Sequence, residues 1–479
     1  MRSADSMAGF TAGAAESVVN PPAGAPLLGT LQRSTGVNDD LYARALVLAD
    51  GTRRVAILSF DLIGMDFSLA DEIRSSIEQR TGIGDVLLNC SHNHSAPFTI
   101  PWSVLGAQWL SGIGMHWRRE LIATAAALVA RAAASAGPVT LHSGRAPVQI
   151  GSNRRLPTPE GVVMKPNPQG SVVPWVDVLR IDRVDGKPAA VLFGHAAHPV
   201  IIHGSSQLVS AEFPGFAATA LKEKLGRDVI PFFIQGCAGD INGDPLRGGI
   251  DGAERAGRAL AEATYQALQR SEPVTGRELS SRSVRAELPL APLPPLAECE
   301  RLLRDAEQRV MQRCGSLELS DSLLWDLQDE VPAPKSDAGA GKADDTQPMA
   351  EQPWWLMDNV LCLRDLLKKI RAADETPLRF DAHLLQIGDD WSLLTASHEL
   401  FSEYQLWADR ELPSRHKMFA AYTNGCESYV PLDRDYALGG YEAVNFPSLD
   451  GAGFKYKHRR ALRSGTEQKV IETLRSLWR

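Results

Sequence analysis

The residues with the most chemistry in this chain are two histidines one residue apart, in Asn89-Cys90-Ser91-His92-Asn93-His94-Ser95-Ala96-Pro97. Neutral imidazole is the commonest protein ligand for zinc and related metals. An apolar run, Val86-Leu87-Leu88, precedes the pair and reads as a short buried strand ended by Ser, Asn and Pro. In extended backbone, residues two apart point to one side, so His92 and His94 are expected to aim both rings into one cavity. A lone His-x-His pair is, taken alone, more simply a structural or solvated pair. Other segments add to it. Gly194-His195-Ala196-Ala197-His198-Pro199 follows the apolar Ala189-Ala190-Val191, and His203 comes soon after. Five of the 11 histidines fall in or just after these two segments. Trp391 to Ala396 reads as a strand ending at Ser397-His398-Glu399, with helical spacing over Leu400 to Leu412. A carboxylate there can be a metal ligand, a general base or a helix N-terminal charge. Histidines and an acid at the ends of separate strands supply what a catalytic metal needs: about three protein ligands and an open position for water.

The elements that must position these residues follow from pattern. Asp50-Gly51 joins two apolar runs, Leu41 to Leu48 and Arg54 to Leu62, and Asp185-Gly186 joins Val176-Ile181 to Ala189-Gly194; both read as hairpins. Helices are expected over Leu69 to Arg80, Arg118 to Ala134, Gly215 to Leu225 and Ala253 to Leu268, with strands at Val229 to Ile234 and Ser280 to Leu288. Leu296 to Arg313 and Leu317 to Gln328 read as helices of an insertion over 296–373. A polar Pro/Ala/Gly/Asp/Lys stretch at 332–353 interrupts it and reads as a flexible loop.

Composition sets the frame. The chain has 479 residues, 44% hydrophobic and 23% charged, with net charge −8. That is ordinary for a soluble protein with a large core. The absence of a basic stripe argues against nucleic acid, and no apolar run reaches transmembrane length. The first 18 residues hold a lone Arg2 and no continuous apolar run, so no signal peptide is read. The six cysteines show no CxxC and no paired spacing. Free thiols and a cytoplasmic setting are expected. Asp240-x-Asn242-x-Asp244 imitates part of a calcium loop, but Pro245 stands where Gly is needed, so it reads as a turn.

Several motifs carry a family resemblance. Phe10-Thr11-Ala12-Gly13-Ala14-Ala15 with Asn20-Pro21-Pro22-Ala23-Gly24, the His92-x-His94 segment, Ala196-Ala197-His198-Pro199, Gly239-Asp240-Ile241-Asn242, Glu399-Leu400-Phe401, Glu427-Ser428-Tyr429 and Gly440-Tyr441-Glu442 resemble, in order, the motifs of neutral/alkaline non-lysosomal ceramidases. The resemblance implies an α/β fold, a mixed β-sheet core flanked by helices as in the ceramidase catalytic domain, spanning 1–479 as one domain with the helical insertion. It implies Zn2+ held by His92, His198, Glu399 and Tyr429. His94 would sit beside the water and substrate, Arg154 would contact the substrate, and Tyr441 would stabilise the oxyanion. Asp240 joins the catalytic set and Asn242 the substrate-binding set. The family's serine at position 242 is Asn here, which favours metal-activated water over a serine nucleophile. The chain ends soon after an expected helix near Thr466 to Trp478, without the family's C-terminal β-sandwich. The substrate expected is therefore a small or medium N-acyl compound rather than ceramide. An ester or lactone is the alternative for the same site, and a non-catalytic ligand-binding homologue is a third reading. The insertion is expected to shape the pocket, to form a homo-oligomer contact, or simply to pack.

Overall fold

The computed structural model describes residues 9–318 and 352–479. Most of the Leu317 to Gln328 helix and of the 332–353 loop expected from sequence lie outside the described residues. Two sheets stack face to face. The larger runs, in spatial order, through Ile230–Gln235, Pro188–His195, Trp175–Arg183, Gly137–Pro147, Thr11–Val18, Tyr42–Ala49, Arg54–Phe60 and Asp85–Cys90, with Glu272–Pro273 added beside Gly137–Pro147. Only its two outermost pairs are parallel; the inner pairs are antiparallel. The smaller sheet is Leu279–Leu288, Leu378–Ile387, Trp391–Ala396 and His416–Ala420. The sheet core is therefore mixed, as expected. The first strand, Thr11–Val18, was not legible as a strand, because Ala-Gly-Ala-Ala lacks the β-branched and aromatic residues that mark one.

Alternation assigns the layers. Leu46, Leu48, Val55 and Ile57 join Trp391, Leu393 and Met418 in the core between the sheets. The intervening Ala45, Val47, Ala56 and Leu58 face Phe67–Thr81 and Ile113–Ala134 on the outside. Elsewhere on the same outer face, Val176, Val178, Val191 and Phe193 meet Glu212–Leu225 and Gly249–Gln269. On the smaller sheet, Leu394 and Ala396 point away from Trp391 and Leu393, toward Ser402–Glu411 and Thr466–Arg475. The period of two thus makes each strand serve two cores. The layers are helix, sheet, sheet, helix.

The larger sheet curls until its outermost strands approach each other. Asn89 closes the gap. Its Oδ1 accepts from the Gln235 backbone N–H at 2.8 Å, and its Nδ2 donates to the carbonyl of Ala421 at 2.6 Å. Ser59 Oγ adds a bond to the carbonyl of Phe233 at 2.8 Å. The C-terminal ends of the Asp85–Cys90 and Pro188–His195 strands, remote in strand order, are thereby brought to one region.

The described part of the insertion is a helical hairpin, Leu296–Cys314 and Pro353–Arg371. Trp354, Met357, Val360 and Leu363 pack into the outer core beside Phe98, Leu105 and Phe454. Asp358 Oδ1 accepts the Val104 N–H at 3.0 Å, and its other oxygen pairs with Lys455 at 3.0 Å. The hairpin is therefore fastened to the two segments that carry Trp102 and Tyr456.

Candidate metal centre

His92 and His198 reach one point from two strand ends. His92 Nε2 and His198 Nε2 both lie 3.1 Å from Glu399 Oε2. The opposite ring nitrogens are committed: His92 Nδ1 meets the carbonyl of Ile63 at 2.7 Å, and His198 Nδ1 meets those of Ala238 at 2.7 Å and Ile241 at 3.1 Å. A carbonyl cannot donate, so each Nδ1 carries the hydrogen and each Nε2 points a lone pair inward. Two lone pairs and a carboxylate oxygen converging in a buried site require a positive charge among them, a proton or a metal cation. Second-sphere carbonyls fixing the Nδ1–H tautomer are the usual support of metal-ligating histidines. The donor set therefore fits a divalent metal.

The backbone that achieves this is not extended. The strand ends at Cys90, and His92 adopts a left-handed conformation with φ 64°. The expectation that His92 and His94 share a strand face is therefore corrected; they are brought together by a turn, with ring centroids 5.1 Å apart. His398 and Tyr422, beside Glu399 and Ala421, also have positive φ, at 75° and 52°. Non-glycine residues held there cost on the order of 1–3 kcal/mol each and cluster at functional sites. Gly239 fills the opposite need: a Cβ there would lie 2.6 Å from the carbonyl of Glu399, so only glycine permits this approach. Glu399 and Tyr429 face each other as partners in a two-residue parallel pairing.

Around the centre, tyrosines outnumber the expected ones. Tyr422 Oη donates to Glu399 Oε2 at 3.3 Å, and Tyr456 Oη donates to Glu399 Oε1. Burial alone would raise the Glu399 carboxyl, but His92 and His198 facing it hold it well below its ordinary value. Burial, reinforced by the Arg154 guanidinium, pushes His198 down to about 3. Tyr429 Oη lies 2.5 Å from Tyr441 Oη and 3.2 Å from Arg154 Nη2. Burial raises both phenols, so both stay protonated.

Arg154 is the hub of a neighbouring polar cluster. It donates to Glu442 Oε1 at 2.9 Å, Asn242 Oδ1 at 3.0 Å and the carbonyl of Gly239 at 2.7 Å. Asn242 thus orients Arg154. The carboxylate of Asp240 is occupied elsewhere, by the Ser402 N–H and hydroxyl and by Asn153 Nδ2, at 2.7–2.9 Å. Its carbonyl also accepts the Arg154 N–H at 2.9 Å. Burial, outweighing the Ser402 bonds, lifts Asp240 to about 6. The geometry makes Asp240 a clamp between the Arg154 segment and the Ser402–Glu411 helix.

His94 sits against this centre, 5.7 Å from the His198 ring, with both ring nitrogens buried and unpartnered. His195 does not join. It bonds the carbonyl of Trp175 at 2.8 Å and accepts the Ile150 N–H at 3.4 Å, a structural role. His398 likewise bridges the carbonyl of Arg379 and the N–H of Glu427. Four neighbours escaped the sequence patterns: Tyr422, Tyr456, Glu442 and Trp102, whose ring is 6.0 Å from His92. Glu442 alone had a signal, being adjacent to Tyr441 in the same motif. Cys426 also brings its sulfur within 4.8 Å of ligand atoms of His92 and Glu399, as a buried thiol.

Comparison with known proteins bears on the fold. Residues 21–247 match the family model described as neutral/alkaline non-lysosomal ceramidase, N-terminal. No curated protein sequence matches the chain. Among solved structures, neutral ceramidase from Pseudomonas aeruginosa superposes with a TM-score of 0.65 at 18% identity, covering 98% of this chain and 74% of that one. A structure described as ceramidase complexed with C2 gives 0.64 at 17% identity, covering 98% and 75%. The matched segment, just under half of the chain, is similar to the N-terminal part of the neutral/alkaline ceramidases, and the whole chain shares the fold of the neutral ceramidase structures.

Proposed function

We propose that this protein is a zinc-dependent amidohydrolase that cleaves the C–N bond of a small or medium N-acyl compound with water. The observation that carries the reading is the convergence of His92 Nε2 and His198 Nε2 on Glu399 Oε2, beside the Arg154–Tyr429–Tyr441 cluster. His92, His198 and Glu399 would hold the ion, with Tyr429 as fourth ligand. Bound zinc supplies Lewis acidity and brings the pKa of a bound water to about 7. The chain's own groups do the rest. His94, neutral and unpartnered, takes a proton from the attacking water and returns it to the leaving nitrogen. One C–O bond forms, the C–N bond breaks, and the amine departs with that proton. Tyr441, protonated, donates to the carbonyl oxygen as charge develops there, a contribution of about 3 kcal/mol for such donors. Arg154 fixes the two phenols and Asn242 fixes Arg154.

The name ceramidase denotes hydrolysis of an amide, which supports this choice of bond. An ester or lactone would meet the same groups and is the second reading. A panel pairing each N-acyl amine with its oxygen ester, with product release followed by mass spectrometry alongside metal analysis, tests both. Faster amide turnover that requires bound metal is expected. Ester turnover without amide turnover would replace the proposal. Absence of turnover at full metal occupancy would leave a ligand-binding homologue.

A further inference from the structure

We propose that His203 and the outer side of His94 form a carboxylate-recognition subsite, so that the amide cleaved at the centre belongs to a carboxylate-bearing compound such as an N-acyl amino acid. This rests on the hydrolase reading above. The rings form a series leading away from the centre. The His94 centroid is 5.1 Å from His92 and 5.7 Å from His198, and His203 lies 5.3 Å from His94. His203 Nδ1 and both nitrogens of His94 are buried without a hydrogen-bond partner. A buried polar group left unpaired costs about 1–3 kcal/mol, and three in adjacent rings would be an odd expense unless a ligand completes them.

The charge around them selects the ligand. At the outer end, a Cβ on Gly204 would lie 3.8 Å from Arg247 Nε, which places that guanidinium against the His203 turn. Arg247 is exposed. In a chain of net charge −8, a cation at this position favours entry of an anion. Burial, then Arg247 and Arg154, push His203 down to about 4. The smaller, coulombic part of that shift comes from two guanidinium groups, and those also favour negative charge beside the ring. Glu212 reaches the same loop, but its oxygens are occupied by the Ile202 and Phe213 N–H groups, at 2.5 and 2.9 Å. Gly29 approaches both rings' segments closely, since a Cβ there would stand 2.9 Å from the His94 carbonyl and 3.2 Å from His203 Nδ1. A neutral alkyl chain in this place would satisfy none of these nitrogens, whereas a carboxylate accepts from the N–H of each neutral imidazole.

The test compares N-decanoylglycine with its methyl ester, identical except for the charge. Wild-type protein is expected to favour the free acid in kcat/KM by about tenfold, the lower range for a hydrogen bond to a charged group. His203→Leu should erase the preference, mainly by raising KM for the acid, and His203→Gln should recover part of it. Arg247→Gln, at an exposed position, should lower the preference and its salt dependence. Equal kcat/KM for acid and ester in the wild type, or an unchanged preference in His203→Leu, would overturn the proposal. If neither compound is turned over, the hydrolase reading falls separately. Calorimetric titration of the same two compounds then decides the subsite: tighter binding of the acid, lost in His203→Leu, retains it, and equal binding removes it.

Discussion

In the proposed site, His92 and His198 are the candidate metal ligands, because their far nitrogens are already tied to carbonyls. Replacing either removes one of three donors that share a single point. His198→Ala is expected to drop metal content from near one equivalent to a small fraction, measured by elemental analysis after dialysis, with activity lost in parallel. Full occupancy in that variant would exclude His198 as a ligand. Asn242 tests the nucleophile. Its Oδ1 serves Arg154, so Asn242→Ala should retain measurable turnover, reduced about tenfold, as expected when a positioning hydrogen bond is lost. No acylated residue should appear by mass spectrometry during turnover. A trapped acyl-enzyme would point to covalent catalysis.

At the scale of elements, the centre depends on the curled sheet more than on any motif. Asn89→Ala would strand the Gln235 N–H in a buried seam, while the Ala421 carbonyl keeps its bond from the Thr423 hydroxyl at 3.0 Å. The expected cost is about 1–3 kcal/mol, from one unpaired buried polar group. Urea unfolding would read it as a lower midpoint at constant m-value, and a change below a few tenths of a kcal/mol would mean water replaces the amide. The sequence made some of these elements legible and hid others. Trp391–Ala396 and the two Asp-Gly hairpins stand out because alternation and turn chemistry are local signals. The ligand-bearing strand ends are legible for the same reason. The meeting of Asp85–Cys90 with Ile230–Gln235 is not, since it rests on one asparagine's long-range bonds. Nor is the left-handed backbone at His92, which tertiary contacts impose on a residue type that only tolerates it. Tyr422 and Tyr456 look like core aromatics until the fold turns their hydroxyls onto Glu399. The insertion's Trp354 is buried with the core, and the hairpin touches the segments that carry Trp102 and Tyr456 through Asp358.

At the scale of the whole molecule, acid sensitivity follows from buried neutral imidazoles. His195 is 1% exposed and pushed by burial down to about 4. An unfolded histidine titrates near 6.5, so its contribution is intact above that pH and is lost as pH falls from 6.5 toward 4. At pH 5 the loss is about 2 kcal/mol from this group alone. His195→Gln can keep both hydrogen bonds without the titration. The variant should therefore lose less stability than the wild type between pH 7 and pH 5, measured by denaturant midpoints. Equal losses would show that His195 titrates normally. Among the described residues no helix is long and apolar enough to cross a membrane.

The curl of the larger sheet has one more effect, on how the molecules behave toward each other. A strand at a sheet's border ordinarily offers unpaired N–H and C=O groups to any neighbour, the starting point for edge-to-edge aggregation. Here the two borders of the larger sheet confront each other across Asn89 and Gln235, and His416–Ala420 lies in the same seam. The remaining border, Leu279–Leu288, carries Arg282, Arg285 and Glu287 along its length. A solution of the folded protein should thus resist fibril seeding, and the Asn89→Ala variant, by loosening the seam, should be the first to gelate on storage.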